Sequence, residues 1–270
     1  MKRNRVGVGW TSGACRTLTC LLLAGLVSTG QQTASRESLS DWKLVHTLQL
    51  KGETFHVQGV DSDGEHVWVT SCDRAGRKAF LHRFSMASGA LEQAVDITDG
   101  IRYHPGGIDS DATSIWVPVA EYRASSTAVI ERRDKRTLRI QFRFAVPDHI
   151  GCVAITPELI VGGNWDSRNF YVWNHRGELL RTVVNKSGNN YQDMKFIPPH
   201  LVASGVYPGN TGGAIDWLEL PDFQLARRIF AGNNDRGVPY TREGMSFRGN
   251  RILLLPEDGP SRLFIFERVP

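Results

Sequence analysis

The sequence predicts an all-β fold: a five-bladed β-propeller of four-stranded blades, its ring closed by the N-terminal strand joining the last blade. Three observations carry that expectation. First, five segments share one pattern, in which a small or polar pair precedes an apolar residue, a turn and a run of strand formers. They begin at Gln58-Gly59-Val60, Gly106-Gly107-Ile108, Gly151-Cys152-Val153, Gln192-Asp193-Met194 and Glu243-Gly244-Met245. The offsets between them are 48, 45, 41 and 51 residues, the size of a propeller blade. Second, apolar residues alternate with a period of two, as in Phe80-Leu81-His82-Arg83-Phe84, and turns such as Ala87-Ser88-Gly89 separate the runs. Third, no segment combines helical length with a period of about 3.6.

Each repeat divides into four strands. The first places them at 55–60, 67–71, 79–85 and 91–97. The second uses 106–109, 115–119, 128–132 and 140–146, and the third 152–155, 159–163, 170–174 and 179–184. The fourth uses 193–197, 201–206, 214–220 and 224–230. The fifth has three, at 244–247, 252–256 and 262–268. Residues 42–50 offer the missing strand, and pairing the two ends removes the open sheet edge. Five blades therefore account for the chain, whereas six would need more material.

Residues 1–30 read as a signal peptide. Lys2, Arg3, Arg5 and Arg16 make a basic start, 18–27 is apolar, and Ser28-Thr29-Gly30 offers small residues for cleavage. The apolar run is too short to span a bilayer. Residues 31–40 read as a flexible linker and 41–270 as one propeller domain. The expected location is the periplasm or the exterior, as a monomer with no membrane span in the mature chain. The formal net charge of +4 resides in the leader, so no nucleic-acid partner is expected. Cys72 and Cys152 fall in the first and third repeats, as isolated thiols or, in an oxidising compartment, as a disulfide.

Antiparallel pairing puts the start of each inner strand and the end of the second strand on one rim. The inner-strand starts carry His56, His104, His149, Asn190 and Thr241, and two residues on stand Gln58, Gly106, Gly151, Gln192 and Glu243. The second-strand ends carry Asp73 and Arg74, Glu121 and Arg123, Trp165 to Arg168, Tyr207, and Glu257 and Asp258. A packed core does not require three histidines and several carboxylates there. His56, His104 and His149 form a candidate divalent-metal set, because neutral imidazoles ligate zinc, iron and copper. The competing reading has them bonded to loop carbonyls. Gln58, His104, His149, Trp165, Arg168, Gln192 and Arg242 form a candidate ligand site, an aromatic face with oriented polar groups that suits a sugar or a peptide end. Glu243 and Asp193 are the catalytic candidates, as acid or base. Glu257-Asp258-Gly259-Pro260 reads either as a second acidic pair or as a turn. Trp68, Trp116, Trp173 and Trp217 are expected to pack between blades. No phosphate-binding glycine loop, serine nucleophile elbow or Cys-x-x-Cys occurs.

Two resemblances accompany these residues. Thr54-Phe55-His56-Val57-Gln58-Gly59-Val60, followed by Val67-Trp68-Val69-Thr70-Ser71, resembles the first blade of bacterial and plant glutaminyl cyclotransferases. Those are secreted five-bladed propellers that cyclise N-terminal glutamine. Arg242-Glu243-Gly244-Met245 with 251–255 is laid out like their last blade. In that family the second blade's inner strand carries the catalytic acid in a Glu-Gly-Ile setting, where this chain has Gly106-Gly107-Ile108 and no acid. A second resemblance is to an uncharacterised family of secreted bacterial β-propeller proteins. It is carried by His104-Pro105-Gly106-Gly107-Ile108-Asp109, by 116–123, by Asp148-His149-Ile150-Gly151, by Asn164-Trp165-Asp166-Ser167-Arg168 and by 256–262. It spans most of 40–270 and implies the fold without an activity.

The expected function is that of an exported propeller binding a small ligand (sugar, peptide end or metal) on the rim around the central channel. One rival is an enzyme, a hydrolase, lyase or glutaminyl-cyclotransferase-like protein, using Glu243 with or without a metal. The other is a protein-interaction scaffold. A deep axial pocket with displaced proton affinities favours the first two; a broad apolar patch favours the third.

Overall fold

The computed structural model describes Gly9 and residues 37–269. Five antiparallel sheets make up the ring. From the axis outward, blade 1 comprises His56–Ser62, His66–Asp73, Lys78–Ser85 and Leu91–Asp96. Blade 2 has a broken inner strand, His104–Pro105 and Asp109–Ser110, then Ser114–Ala120, Ala128–Asp134 and Ile140–Val146. Blade 3 comprises Ile150–Ile155, Leu159–Asn164, Asn169–Asn174 and Leu179–Val184. Blade 4 comprises Asn190–Ile197, His200–Val206, Gly213–Glu219 and Gln224–Ala231. Blade 5 comprises Gly244–Arg248, Arg251–Leu255 and Arg262–Arg268, with Trp42–Gln49 outermost. In that closing pair Trp42 faces Arg268 and Gln49 faces Arg262.

The alternating apolar residues form five cores, each shared by two neighbouring blades. Blades 1 and 2 meet at Trp68, Leu81, Ile108 and Val117, and blades 2 and 3 at Trp116, Ile130, Ile160 and Trp173. Blades 3 and 4 meet at Val161, Phe170, Met194 and Leu201. Blades 4 and 5 meet at Val202, Ile215, Ile252 and Phe264, and Val57, Val67, Leu253 and Leu263 complete the circle between blades 5 and 1. Each such side chain contributes about 1.5–3 kcal/mol by leaving water, so every blade is held from both faces. Cys72 and Cys152 are free, buried thiols in blades 1 and 3.

Two expectations change. Of the linker expected over 31–40, residues 37–40 are held against the propeller, and 31–36 lie outside the described residues. Ser38 caps a short 3-10 turn over Leu39–Asp41, Leu39 is buried in the core of blades 4 and 5, and Glu37 pairs with Arg227. The apolar Leu39 finds a slot there, and Phe230 N–H donates to the Glu37 carbonyl. The expected leader, 1–30, lies outside the described residues except for Gly9. Among the described residues no helix is long and apolar enough to cross a membrane.

The second change is at the axis. The strand expected over 106–109 leaves its own sheet at the glycines. Gly107 N–H donates to Gly151 O at 2.9 Å, and Val153 N–H donates to Gly107 O at 3.1 Å, a parallel bridge to blade 3. A Cβ on Gly59 would lie 2.7 Å from Gly107 Cα, and one on Gly107 would lie 2.7 Å from Asp193 Cα. Only glycine allows backbones this close. The expected central channel is therefore closed at this height, and what opens on the rim is a blind pocket.

Candidate functional site

Inner strands that run in one direction put their starts at one end of the axis. There they enclose a pocket of about 160 Å³. Blade 1 supplies His56 and Gln58, blade 2 His104 and Tyr122, and blade 3 His149, Gly151, Asn164 and Trp165 with Asp166. Blade 4 supplies Tyr191 and Gln192, and blade 5 Glu243. Three inner strands carry a register irregularity at the same height. It falls between Val57 and Val60, between Ile150 and Cys152, and between Tyr191 and Asp193. A bulge turns the extra residue out of the strand's alternation, and the residues so placed are Gln58-Gly59, Gly151 and Gln192. Left-handed backbone at Phe55 (φ 45°), Asp166 (φ 58°) and Ser167 (φ 47°) flanks His56 and Trp165. Each costs about 1–2 kcal/mol. Ser167 Oγ, donating to Tyr191 O at 2.9 Å, and Phe55, stacked on Phe80 at 5.1 Å, hold these turns.

The imidazoles differ in their partners. His149 Nδ1 lies 3.0 Å from Glu121 O and 3.1 Å from Arg123 O. Carbonyls only accept, so Nδ1 carries the hydrogen and Nε2 keeps its lone pair. Burial pushes the His149 pKa down, against the pull of those carbonyls. His104 is pushed well below the ordinary value, by burial first and then by His149, His56 and Arg74. Its Nδ1 has no hydrogen-bond partner among the described residues, and its ring meets Tyr122 edge-on at 4.2 Å. Trp165 lies 4.8 Å from the His149 ring. These two histidines are therefore neutral at pH 7.

The two carboxylates near the mouth are driven apart. Glu257 Oε1 lies 2.8 Å from His56 Nδ1 and 3.8 Å from Arg74, and Oε2 lies 3.0 Å from Arg242. The close contact with His56, followed by the charges of His56, Arg242 and Arg74, holds Glu257 below the ordinary carboxylate value against burial. Glu243 is only 6 % exposed. Burial, then the neighbouring charge of Glu257, raises it well above the ordinary value despite Arg242 and Arg74. No hydrogen bond reaches its carboxyl group among the described residues.

The structure redistributes the sequence candidates. Gln58, His104, His149, Trp165, Gln192 and Glu243 share the pocket. His56, His104 and His149 line it together, but the group with potential ligand atoms within 4.8 Å of one another is His56, Glu243 and Glu257. Arg242 is held beside the pocket by Glu257. Arg168 is exposed, directs Nε to Trp165 O at 3.4 Å and does not line the cavity. Asp193 is fully buried below it. Its oxygens accept from Val60 N and Met245 N, both at 3.0 Å, from Met194 N at 2.9 Å and from Lys195 Nζ at 2.7 Å. That makes Asp193 a clasp between blades 1, 4 and 5, with no oxygen left for acid–base work. Tyr191 and Asn164 complete the lining and carried no repeat-aligned signal. Trp68, Trp116 and Trp173 are buried between blades, while Trp217 is partly exposed under Arg227.

The opposite end of the axis holds a wider, acidic depression. Asp61 accepts from Ser246 Oγ at 2.6 Å, from Ser62 N at 2.9 Å and from Ser110 Oγ. Asp109 accepts from Ile155 N at 2.8 Å and Ser110 N at 2.9 Å. Burial pushes Asp109 up to about 7, with Lys195 opposing and Asp61 adding. Burial likewise pushes Asp193 up to about 6, with Lys195 opposing. Burial alone would depress Lys195, but the combined field of Asp193, Asp61 and Asp109 holds it above the ordinary lysine value.

A family of unknown function (DUF6454) matches residues 72–192. That range contains four of the five segments on which the resemblance to an uncharacterised propeller family was drawn, and the resemblance holds. No curated protein matches the chain. Among solved structures, the glutaminyl cyclase of Myxococcus xanthus superposes with a TM-score of 0.63 at 11% identity, over 85% of this chain and 97% of that one. BamB from Moraxella catarrhalis superposes with a TM-score of 0.42 at 14% identity, over 77% and 59%. Hydrazine synthase of Kuenenia stuttgartiensis gives 0.45 at 13%, over 76% and 57%. At 11% identity the match to the glutaminyl cyclase is one of fold alone.

Proposed function

We propose that this chain is an exported five-bladed propeller that binds a small polar ligand, a peptide end or a single sugar unit, in the axial pocket. The observation that carries this reading is Glu243, a carboxyl group 6 % exposed at the pocket wall with no hydrogen bond among the described residues. Its carboxylate borders the pocket, so water or a ligand entering there supplies the partners that the protein does not. The bare Nε2 of His149 and the unpartnered Nδ1 of His104 add two more such positions. Trp165 and Tyr122 add apolar faces. The volume of about 160 Å³ is below the roughly 300 Å³ floor of drug-sized sites, so one small group enters. Large exposed apolar residues, such as Leu91, Ile140, Leu179, Leu225 and Leu44, are spread over the outer strands of all five blades. That spread weighs against a single protein-docking patch.

A second reading, an acid–base enzyme, is favoured by the opposed proton affinities of Glu243 and Glu257. Such a divergence is how one site keeps both a proton donor and a base. The fold likeness to a glutaminyl cyclase makes N-terminal glutamine peptides the first substrates to try, with Glu243 as proton donor.

A thermal-shift screen with small sugars and with peptides ending or beginning in glutamine tests both. A ligand at 100 times its Kd adds about 2.7 kcal/mol to stability, and Glu243→Gln abolishes that gain while the unliganded protein melts as before. Ammonia release from a glutamine peptide selects the enzyme reading. If the gain survives Glu243→Gln, the pocket assignment fails.

A further inference from the structure

We propose that His56, Glu243 and Glu257 hold one divalent transition-metal ion at the wall of the axial pocket. The inference rests on reading that pocket as a ligand site and names one occupant of it. One nitrogen and two carboxylate oxygens lie within 4.8 Å of one another. Donors bound at about 2.0–2.2 Å stand at most about 4.4 Å apart across an ion, so shifts below an ångström bring all three onto one centre.

Three further features fit a cation. Glu257 divides its oxygens: Oε1 faces His56 at 2.8 Å and Oε2 is held by Arg242 at 3.0 Å. An outer partner that fixes a carboxylate in this way is a regular part of metal sites. Glu243 is nine-tenths buried, lines the pocket and receives no hydrogen bond among the described residues. What it lacks is positive charge at close range, because Arg242 is paired with Glu257 and Arg74 lies nearest the same carboxylate. The donor set of imidazole and carboxylates suits the manganese-to-zinc series better than calcium or magnesium, which take oxygen. Arg74 and Arg242 leave the loaded site with excess positive charge, so a carboxylate-bearing ligand is the best match for its open positions.

The test is calorimetric titration of the full chain, stripped with a chelator and dialysed, with zinc chloride and with manganese chloride. The expected result is one saturable equivalent. Glu243→Gln and Glu257→Gln each weaken it by more than the roughly 10–100-fold that an outer-shell change brings. His66→Gln, at a partly exposed histidine paired with Asp63 and Glu92 at the start of the second strand of blade 1, leaves it within about 3-fold, so stray surface binding is separated from the site. Far-ultraviolet circular dichroism of each variant checks folding, and the Glu257 variant decides if the Glu243 variant is misfolded. A flat isotherm for wild type, or an isotherm unchanged in both carboxylate variants, overturns the inference. The small-ligand screen run in chelator keeps the two ideas apart. A ligand shift without metal, beside a flat zinc isotherm, preserves the pocket reading and removes the ion. One tight equivalent of zinc with no small-ligand shift does the reverse.

Discussion

The two ends of the propeller axis are built from the same five inner strands, yet they treat buried charge in opposite ways. At the Asp61–Asp109 end, each oxygen of Asp61, Asp109 and Asp193 accepts at least one hydrogen bond, and one ammonium, Lys195, lies among them. At the pocket end, Glu243 has no hydrogen bond among the described residues and His104 Nδ1 has none either. Both ends hold buried acids with raised proton affinity. The difference teaches that buried polarity alone does not mark a binding site. Satisfied networks lock the backbone, and unsatisfied groups wait for a partner.

The sharpest way to break this contrast is Asp193→Ala. It takes the nearest carboxylate from Lys195, which keeps only the carbonyls of Ile108 and Met194 as acceptors, and removes the acceptor of the Val60, Met194 and Met245 N–H groups, so a loss of about 3–5 kcal/mol is expected in urea unfolding. A loss below about 1 kcal/mol would remove the distinction between clasp and site, since it falls in the range of ordinary surface changes.

The next effect is one of pH. Asp109 is raised to about 7 when folded, from 3.8. Its contribution is therefore full below pH 3.8 and is lost as pH rises through about 7. Asp109→Asn removes that dependence. Between pH 4 and pH 8 the variant should gain on wild type, on the order of 1.4 kcal/mol per unit of displaced pKa. Equal pH profiles for the two proteins would show that Asp109 is not the group holding the proton.

Gly107→Ala places a methyl group against Asp193 Cα and the Gln192 carbonyl, an overpacking that costs about 1–3 kcal/mol. An unchanged unfolding midpoint would mean that the axis is not closed at that height.

The smallest effect on stability belongs to the pocket. Glu243→Gln removes no hydrogen bond and relieves repulsion with Glu257, so its unfolding free energy should stay within about 1 kcal/mol of wild type. Unfolding of this variant would turn Glu243 into a structural residue.

Much of the pocket was legible because a duplicated blade repeats its heights. His56, His104 and His149 occupy equivalent positions, as do Gln58, Gly151, Gln192 and Glu243, and radial stacking brings equivalent positions to one centre. Asp193 was misread because it stands one residue after Gln192. The irregularity between Tyr191 and Asp193 sends Gln192 to the pocket and Asp193 beneath it, and no composition rule marks where a bulge falls. Arg168 was misread because the left-handed pair Asp166-Ser167 turns Trp165 toward the pocket and leaves the arginine outside.

The amino-acid pattern alone determined the number of blades, their strands apart from the broken inner strand of blade 2, the closure of blade 5 by the strand at Trp42 and the rim on which the polar residues gather. Those features follow from period-two alternation and repeat length, which are local properties. Only the folded ring decided that the axis is sealed by Gly59 and Gly107, that Glu257 of blade 5 meets His56 of blade 1, and that Glu243 is left without a hydrogen bond. Those are relations across blades, set by how closely five sheets approach one axis, and side chains far apart in sequence acquire them only when the circle is complete.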